Sequence, residues 1–261
     1  MTASPVTIER KGRIAVVRLD LGDGKNALSR EIMRELTAIA RSFEEDAETS
    51  AIILAGAAGV FTLGFDLSEA SPGDVGLAQR RQRQALGARL CRAWEALEPM
   101  TFCAIEGWCV GGGVALVASL DLRIAGEGAR FYVPEIERGM NMSWQSVPRL
   151  VALVGPARTK RLTVMAERID AARALAWGLV DEVAPAGTAF DTAMAMAERV
   201  AALPPVQVRM CKEGVNLASA ALHQGVSAMD RDQYLLAAQS EDYREGVRAF
   251  MEKRKPRYTG R

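Results

Sequence analysis

The chain has 261 residues, with 33 Lys and Arg against 32 Asp and Glu, and is 49% hydrophobic and 25% charged. That is enough chain for one large domain or two small ones, and the composition excludes disordered, collagen-like and coiled-coil classes. A net charge of +1 gives no general pull toward nucleic acid or an anionic membrane.

The single histidine excludes multi-histidine metal sites, so no metal centre is expected, and it leaves a histidine-centred triad one residue to stand on. His223 has no Cys, Asp or Glu nearby and reads as a partly buried helical residue. The four cysteines, Cys91, Cys103, Cys109 and Cys211, form no C-x-x-C pair. The opening MTASPVTIERKGR has no apolar stretch before its charges, so a cytoplasmic chain with reduced thiols is expected.

In chain order, Val6–Glu9 and Ile14–Leu19 read as paired strands across Lys11-Gly12. Ser29 is an N-cap for a helix whose apolar face is Ile32, Met33, Leu36, Ile39, Ala40 and Phe43. Ala51–Ala55 is a wholly apolar strand covered on both faces, and Gly56, Gly59 and Gly64 make the next segment a loop. A helix over Leu77–Leu97 ends before Pro99, and Phe102–Ile105 is a buried strand. Residues 107–120 run without charge but are too few to span a bilayer, and a strand-turn-helix with the helix at Val114–Leu120 fits better. Asp121–Ala125 and Arg130–Val133 are strands. Beyond Ser143 the chain reads as helical, broken at Gly155-Pro156, Gly178, 185–187 and Pro204-Pro205. The last helix, Asp242–Lys253, places Tyr243, Val247, Phe250 and Met251 on one side. No internal repeat is evident. Strands alternating with helices and then a helical tail make an α/β protein.

Two glycine loops follow apolar strands. In 55–67 the Gly59–Gly64 spacing matches a P-loop, but Phe65-Asp66 replaces its Lys-Ser/Thr. In 105–116 the dinucleotide fingerprint lacks its third glycine, Leu116 standing there. At the helix start near Gly112 the first amides have no intrahelical partner and carry the positive end of the dipole. Paired with an amide of the first loop they would form an oxyanion hole; equally, both loops could be tight turns that need glycine. Glu135, behind Pro134, is placed to favour a helix dipole; buried among Tyr132, Val133 and Ile136 it would instead be a base of raised pKa. Arg81, Arg89 and Arg92 share a helix face that is normally solvated but would bind RNA or an anionic cofactor phosphate if functional.

The ordered segments KNAL (25–28), FTLGFDL (61–67), AIEGWCVGGGVALVASLDLRIA (104–125), FYVPEIERG (131–139), VPRLVALVG (147–155), ERIDAARALAWGLVDEV (167–183) and DYREGVRAFMEKRKPRYTGR (242–261) resemble the crotonase superfamily, the enoyl-CoA hydratase/isomerase family. The resemblance covers nearly the whole chain. It implies a crotonase-like spiral of ββα units over residues 1–200, carrying the acyl-CoA site. Residues 201–261 would be a helical C-terminal trimerisation region, with trimers often paired into hexamers. It implies an acyl-CoA thioester substrate and no permanently bound cofactor, coenzyme A arriving as part of the substrate. The Phe65 and Gly112 amides would be the oxyanion hole, with Glu135 as base. Lys25, Asn26, Ala27, Leu28, Gly64, Asp66, Leu67, Trp108 and Gly111 would flank the coenzyme A moiety, and Lys253 would reach a phosphate across a subunit boundary. Met140, Met142 and Trp144 would line a bulky apolar acyl pocket.

One position departs from the family. Its hydratases carry a glutamate two residues after the glycine triplet and a second in the later Pro-Glu segment. Here GGGVAL puts Ala115 at the first, and Glu135 fills the second. A single carboxylate resembles the Δ3,Δ2-enoyl-CoA isomerase pattern, so double-bond isomerisation is expected ahead of hydration. The alternatives are an atypical hydratase, or a non-catalytic family member that binds acyl-CoA or RNA.

Overall fold

The computed structural model describes residues 4–57, 59–70, 75–220, 223–227 and 229–261. β1 (Val6–Lys11) and β2 (Ile14–Leu19) form a hairpin, and α1 (Arg30–Arg41) starts where the Ser29 hydroxyl accepts the Ile32 N–H. Next come β3 (Ala51–Ala55), β4 (Val60–Thr62), α2 (Leu77–Glu95), β5 (Met100–Ile105), β6 (Trp108–Val110) and α3 (Gly112–Val117). Then follow β7 (Leu122–Gly126), β8 (Arg130–Tyr132), a 3-10 turn over Glu135–Arg138, α4 (Ser146–Thr163), β9 (Ile169–Asp170), α5 (Ala171–Trp177) and β10 (Glu182–Ala184). The rest is helical: α6 (Ala189–Ala201), α7 (Pro205–Ala220), α8 (His223–Ser227), α9 (Asp230–Ala237) and α10 (Glu241–Met251).

Two sheets result. The larger runs β1-β2-β3-β5-β7-β10, parallel from β2 onward; the smaller runs β4-β6-β8-β9. The pairs β3–β4, β5–β6 and β7–β8 each give one strand to each sheet before the chain turns into a helix. This is the ββα spiral, a structural repeat that no sequence similarity announces. Side-chain alternation assigns the core. Ile52, Leu54, Cys103, Ile105 and Ala125 face a cluster under α1, α2 and α3. Ile53, Ala55, Phe102, Ala104 and Ile124 face α6, whose Ala189, Ala193 and Ala197 recur every fourth residue and allow close approach. Each fully buried large apolar side chain here contributes roughly 1.5–3 kcal/mol.

The expected β-hairpin, capped first helix and buried strands are present. β4 lies where a loop was expected, β6 is the strand of the expected strand-turn-helix, and β9 and β10 interrupt a stretch expected to be helical. All four are too short for periodicity and exist through their partners. The helix expected at Val114–Leu120 runs Gly112–Val117, because Gly111 turns the chain directly from β6 into it. α2 stops at Glu95, short of Leu97. On α10 the packed face is Tyr243, Gly246 and Ala249, while Phe250 and Met251 are exposed. His223 is half-buried in α8, as expected. Among the described residues no helix is long and apolar enough to cross a membrane.

The helical tail is fastened to the spiral by ion pairs. Lys212 of α7 is buried, its Nζ 2.6 Å from Asp121 Oδ2 and donating to the Pro99 carbonyl at 2.7 Å. Arg209 reaches the carbonyls of Asp46 and Thr49. Removing one partner of a buried pair strands the other charge. Lys212→Ala should therefore lose about 3 kcal/mol in urea unfolding.

Candidate active site

The two glycine loops meet at one cavity of about 730 Å³. Leu28 forms an isolated parallel bridge with Phe65: its N–H donates to the Gly64 carbonyl at 2.8 Å, and its carbonyl accepts from Asp66 at 3.4 Å. In such a bridge the N–H of the residue between the two bonds points the other way. The Phe65 N–H is thus turned toward the chain around Gly112. A β-carbon at Gly64 would lie 2.6 Å from the Val110 carbonyl and 3.3 Å from the Gly112 nitrogen, so only glycine lets the loops close together. Gly111 precedes α3 at φ 52°, with no side chain capping the helix, which leaves the Gly112 N–H without an intrahelical partner.

Glu135 opens the 3-10 turn after β8. Its Oε1 lies where a β-carbon on Gly111 would come within 2.5 Å, so the second loop's glycine is what seats it. Its Oε2 is enclosed and, among the described residues, has no hydrogen-bond partner. Burial raises this carboxyl to about 7, against the opposing pull of its own backbone N–H and of Arg138. Desolvation wins because neither opposing group forms an ion pair with it.

Of the residues expected at the site, the cavity brings together Lys25, Ala27, Gly64, Phe65, Asp66, Leu67, Trp108, Gly111, Gly112, Glu135, Met140, Met142 and Trp144. Asn26 and Leu28 stand behind it, fully buried. The Asn26 side chain accepts from the Leu21 N–H and donates to the Leu19 carbonyl, pinning the loop that carries Lys25 and Ala27. Lys253 is exposed and outside the lining. Arg81, Arg89 and Arg92 are exposed on α2, with Arg81 paired to Asp232 at 3.0 Å.

Trp144 is more than an apolar wall. β-carbons on Gly87 of α2 and Gly112 of α3 would lie 2.0 Å and 2.5 Å from its ring atoms, so the indole is wedged between two helices. Ala115, one turn beyond Gly112, is fully buried and outside the cavity lining. Trp144 and Gln145 both adopt left-handed backbone, φ 64° and 58°, a conformation costing roughly 1–3 kcal/mol per residue. The segment is clamped from both sides. Asp230 accepts the Gln145 N–H at 3.1 Å, and Arg149 donates to the Trp144 and Gln145 carbonyls at 3.3 and 2.8 Å. Arg149 is itself held by two contacts of 2.7 and 2.6 Å with Glu95.

Tyr132, Arg138, Arg168, Tyr234, Phe250 and Met251 also line the cavity and escaped the sequence reading. Arg138 had a signal, standing three residues after Glu135. Tyr234, Phe250 and Met251 had none, because tertiary packing carries the tail back over the site.

A family model described as enoyl-CoA hydratase/isomerase matches residues 9–261. The short-chain-enoyl-CoA hydratase of Clostridium acetobutylicum is 31% identical, with 98% of this chain and 97% of that protein covered. A probable enoyl-CoA hydratase of Mycobacterium tuberculosis is 32% identical over the full length of both. The crystal structure of carnitinyl-CoA hydratase from Mycobacterium avium superposes with a TM-score of 0.87, at 29% identity and full coverage of both chains.

The raised carboxyl makes stability pH-dependent. The folded state holds a proton on Glu135 up to about pH 7, whereas the unfolded chain releases it lower. Wild-type stability should therefore fall as pH rises across that window. Glu135→Gln removes the titration. The variant should gain about 2–3 kcal/mol on the wild type between acid and neutral pH, then hold level. Urea unfolding across a pH series measures the difference.

Proposed function

The chain belongs to the enoyl-CoA hydratase/isomerase family, and on that premise we propose that it moves the double bond of a 3-enoyl-CoA into conjugation with the thioester. The observation that carries this reading is one enclosed carboxyl, Glu135, set against Gly111: among the described residues its Oε2 has no hydrogen-bond partner, and the Phe65 and Gly112 N–H groups have no backbone acceptor.

In the proposed reaction the Phe65 and Gly112 N–H groups hold the thioester carbonyl. Glu135 takes a proton from C2, the electron pair delocalises onto the carbonyl oxygen, and the same carboxyl returns the proton at C4. Charge on the oxygen grows in the transition state, so aimed amides in a dry site act there most strongly, about 3–4 kcal/mol for one donor. A base near pH 7 is matched to both halves of the transfer. Lys25, Asp66 and Trp108 would contact coenzyme A at the cavity rim.

Hydration is the second reading, favoured by the hydratase names of the relatives. It needs a group to orient water, and the position that supplies one in the family is Ala115, whose methyl cannot orient water and is buried outside the cavity lining. For this reason isomerisation is preferred. The exposed Val206, Met210, Val215 and Leu217 on α7 support assembly into a trimer, alone or paired into a hexamer.

Purified protein offered 3-enoyl-CoA and 2-enoyl-CoA thioesters should isomerise the first faster than it hydrates the second. Its kcat should rise with pH through an apparent pKa near 7. Glu135→Gln should lower that kcat by roughly a hundred- to ten-thousand-fold. Isomerisation that survives Glu135→Gln overturns the base assignment, and faster hydration overturns the preferred reaction. Sedimentation equilibrium should give three or six times the 28.2 kDa chain mass.

A further inference from the structure

Arg138 lines the cavity only partly exposed, and among the described residues none of its nitrogens hydrogen-bonds or ion-pairs with another protein group. Its neighbours at the cavity are differently placed: Arg30 pairs with Glu69, and Arg168 is exposed, its guanidinium over the Tyr132 ring at 4.5 Å from the centroid. Glu135 and Glu137 act on it only at longer range, and a sheltered guanidinium with no ion pair or hydrogen bond is costly to keep. This one is nevertheless built in. Gly246 of α10 lies so close that a β-carbon there would come within 2.3 Å of the Arg138 carbonyl carbon. The guanidinium stacks on the Phe250 ring, 4.3 Å from its centroid. Stacking occupies the face of the group and leaves its in-plane N–H fork available, the geometry that grips a carboxylate with two parallel hydrogen bonds.

The place of Arg138 narrows what it would grip. In a 3-10 turn, side chains three residues apart lie on the same side, about 6 Å apart along the axis. Arg138 therefore stands a few carbon atoms from where Glu135 would meet C2 and C4. The phosphates of coenzyme A lie at the far end of the pantetheine arm, well away from a thioester held at Gly112.

We infer that Arg138 is a specificity residue for an acyl chain ending in a carboxylate, so that the substrate is the monothioester of a dicarboxylic acid. The inference rests on the acyl-CoA reading above and goes beyond it in naming the acyl class.

Calorimetric titration with saturated thioesters tests it without requiring turnover. The ligands are straight-chain diacid monothioesters of coenzyme A, their monoacid counterparts of equal length, and free coenzyme A. At the best length the wild type should bind the diacid about tenfold more tightly than the monoacid. Arg138→Met should bring that ratio near one, and Arg138→Lys, which keeps the charge but loses the fork, should retain part of it. Equal affinity for diacid and monoacid at every length overturns the inference while leaving the acyl-CoA reading intact. So does a ratio unchanged in Arg138→Met, or a loss of free coenzyme A binding as large as the loss for the diacid, which would assign Arg138 to a phosphate. Failure of the wild type to bind any thioester or coenzyme A overturns both.

Discussion

The cavity depends on a chain that leaves a strand and enters a helix across a single residue. Gly111 takes a positive φ between β6 and α3, which no side chain tolerates readily, and three things follow from that turn. The first amide of α3 is left facing the first loop instead of an earlier carbonyl. The missing β-carbon makes the space in which the Glu135 carboxyl sits. The parallel pairing of β4, β6 and β8 then becomes the frame that brings the first loop, the helix start and the acidic turn to the same end of the smaller sheet.

Glu135 illustrates how burial and charge compete. An exposed acid at the start of a turn would be ordinary, and Arg138 draws this one toward the charged form. Enclosure outweighs that pull because the cation's nitrogens do not reach ion-pair distance, so its attraction acts without the hydrogen bonds that would offset desolvation. The carboxyl and the guanidinium thus share one side of a turn without neutralising each other, and both stay available to a ligand.

Trp144 shows a different balance. Two consecutive left-handed residues, one of them a tryptophan, are a local expense that the surroundings must offset. Asp230 takes an amide and Arg149 gives to two carbonyls, and Glu95 holds the arginine, so two elements distant in sequence, α2 and α9, act with α4 to determine where one indole lies. The indole in turn fills the space between α2 and α3. The tail contributes to the same enclosure: α9 and α10 bring Tyr234, Phe250 and Met251 onto the cavity, so residues beyond 201 complete the site as well as offering the apolar surface of α7.

Much of the fold is determined locally and is legible as such. Ile14–Leu19 and Ala51–Ala55 are apolar β-forming runs, and the helix after Ser29 carries its cap and its apolar spacing in the sequence. The glycine triplet, the Pro-Glu turn and their order are equally local, and they carry the family resemblance. β4 is three residues inside a glycine loop and has no signal apart from its pairing with β6, so the ββα repeat is visible only in three dimensions. That Asn26 and Leu28 lie behind the cavity, while Lys25 and Ala27 line it, is likewise a matter of which side chains turn inward. The sequence by itself determined the family, the one carboxylate and the alanine that replaces the other. Only the tertiary structure decided that the carboxyl is enclosed, that Arg138 has no ion-pair partner among the described residues and that a clamped tryptophan occupies the neighbouring space. These are properties of solvent exclusion and of contacts between distant segments, and no local run of residues encodes them.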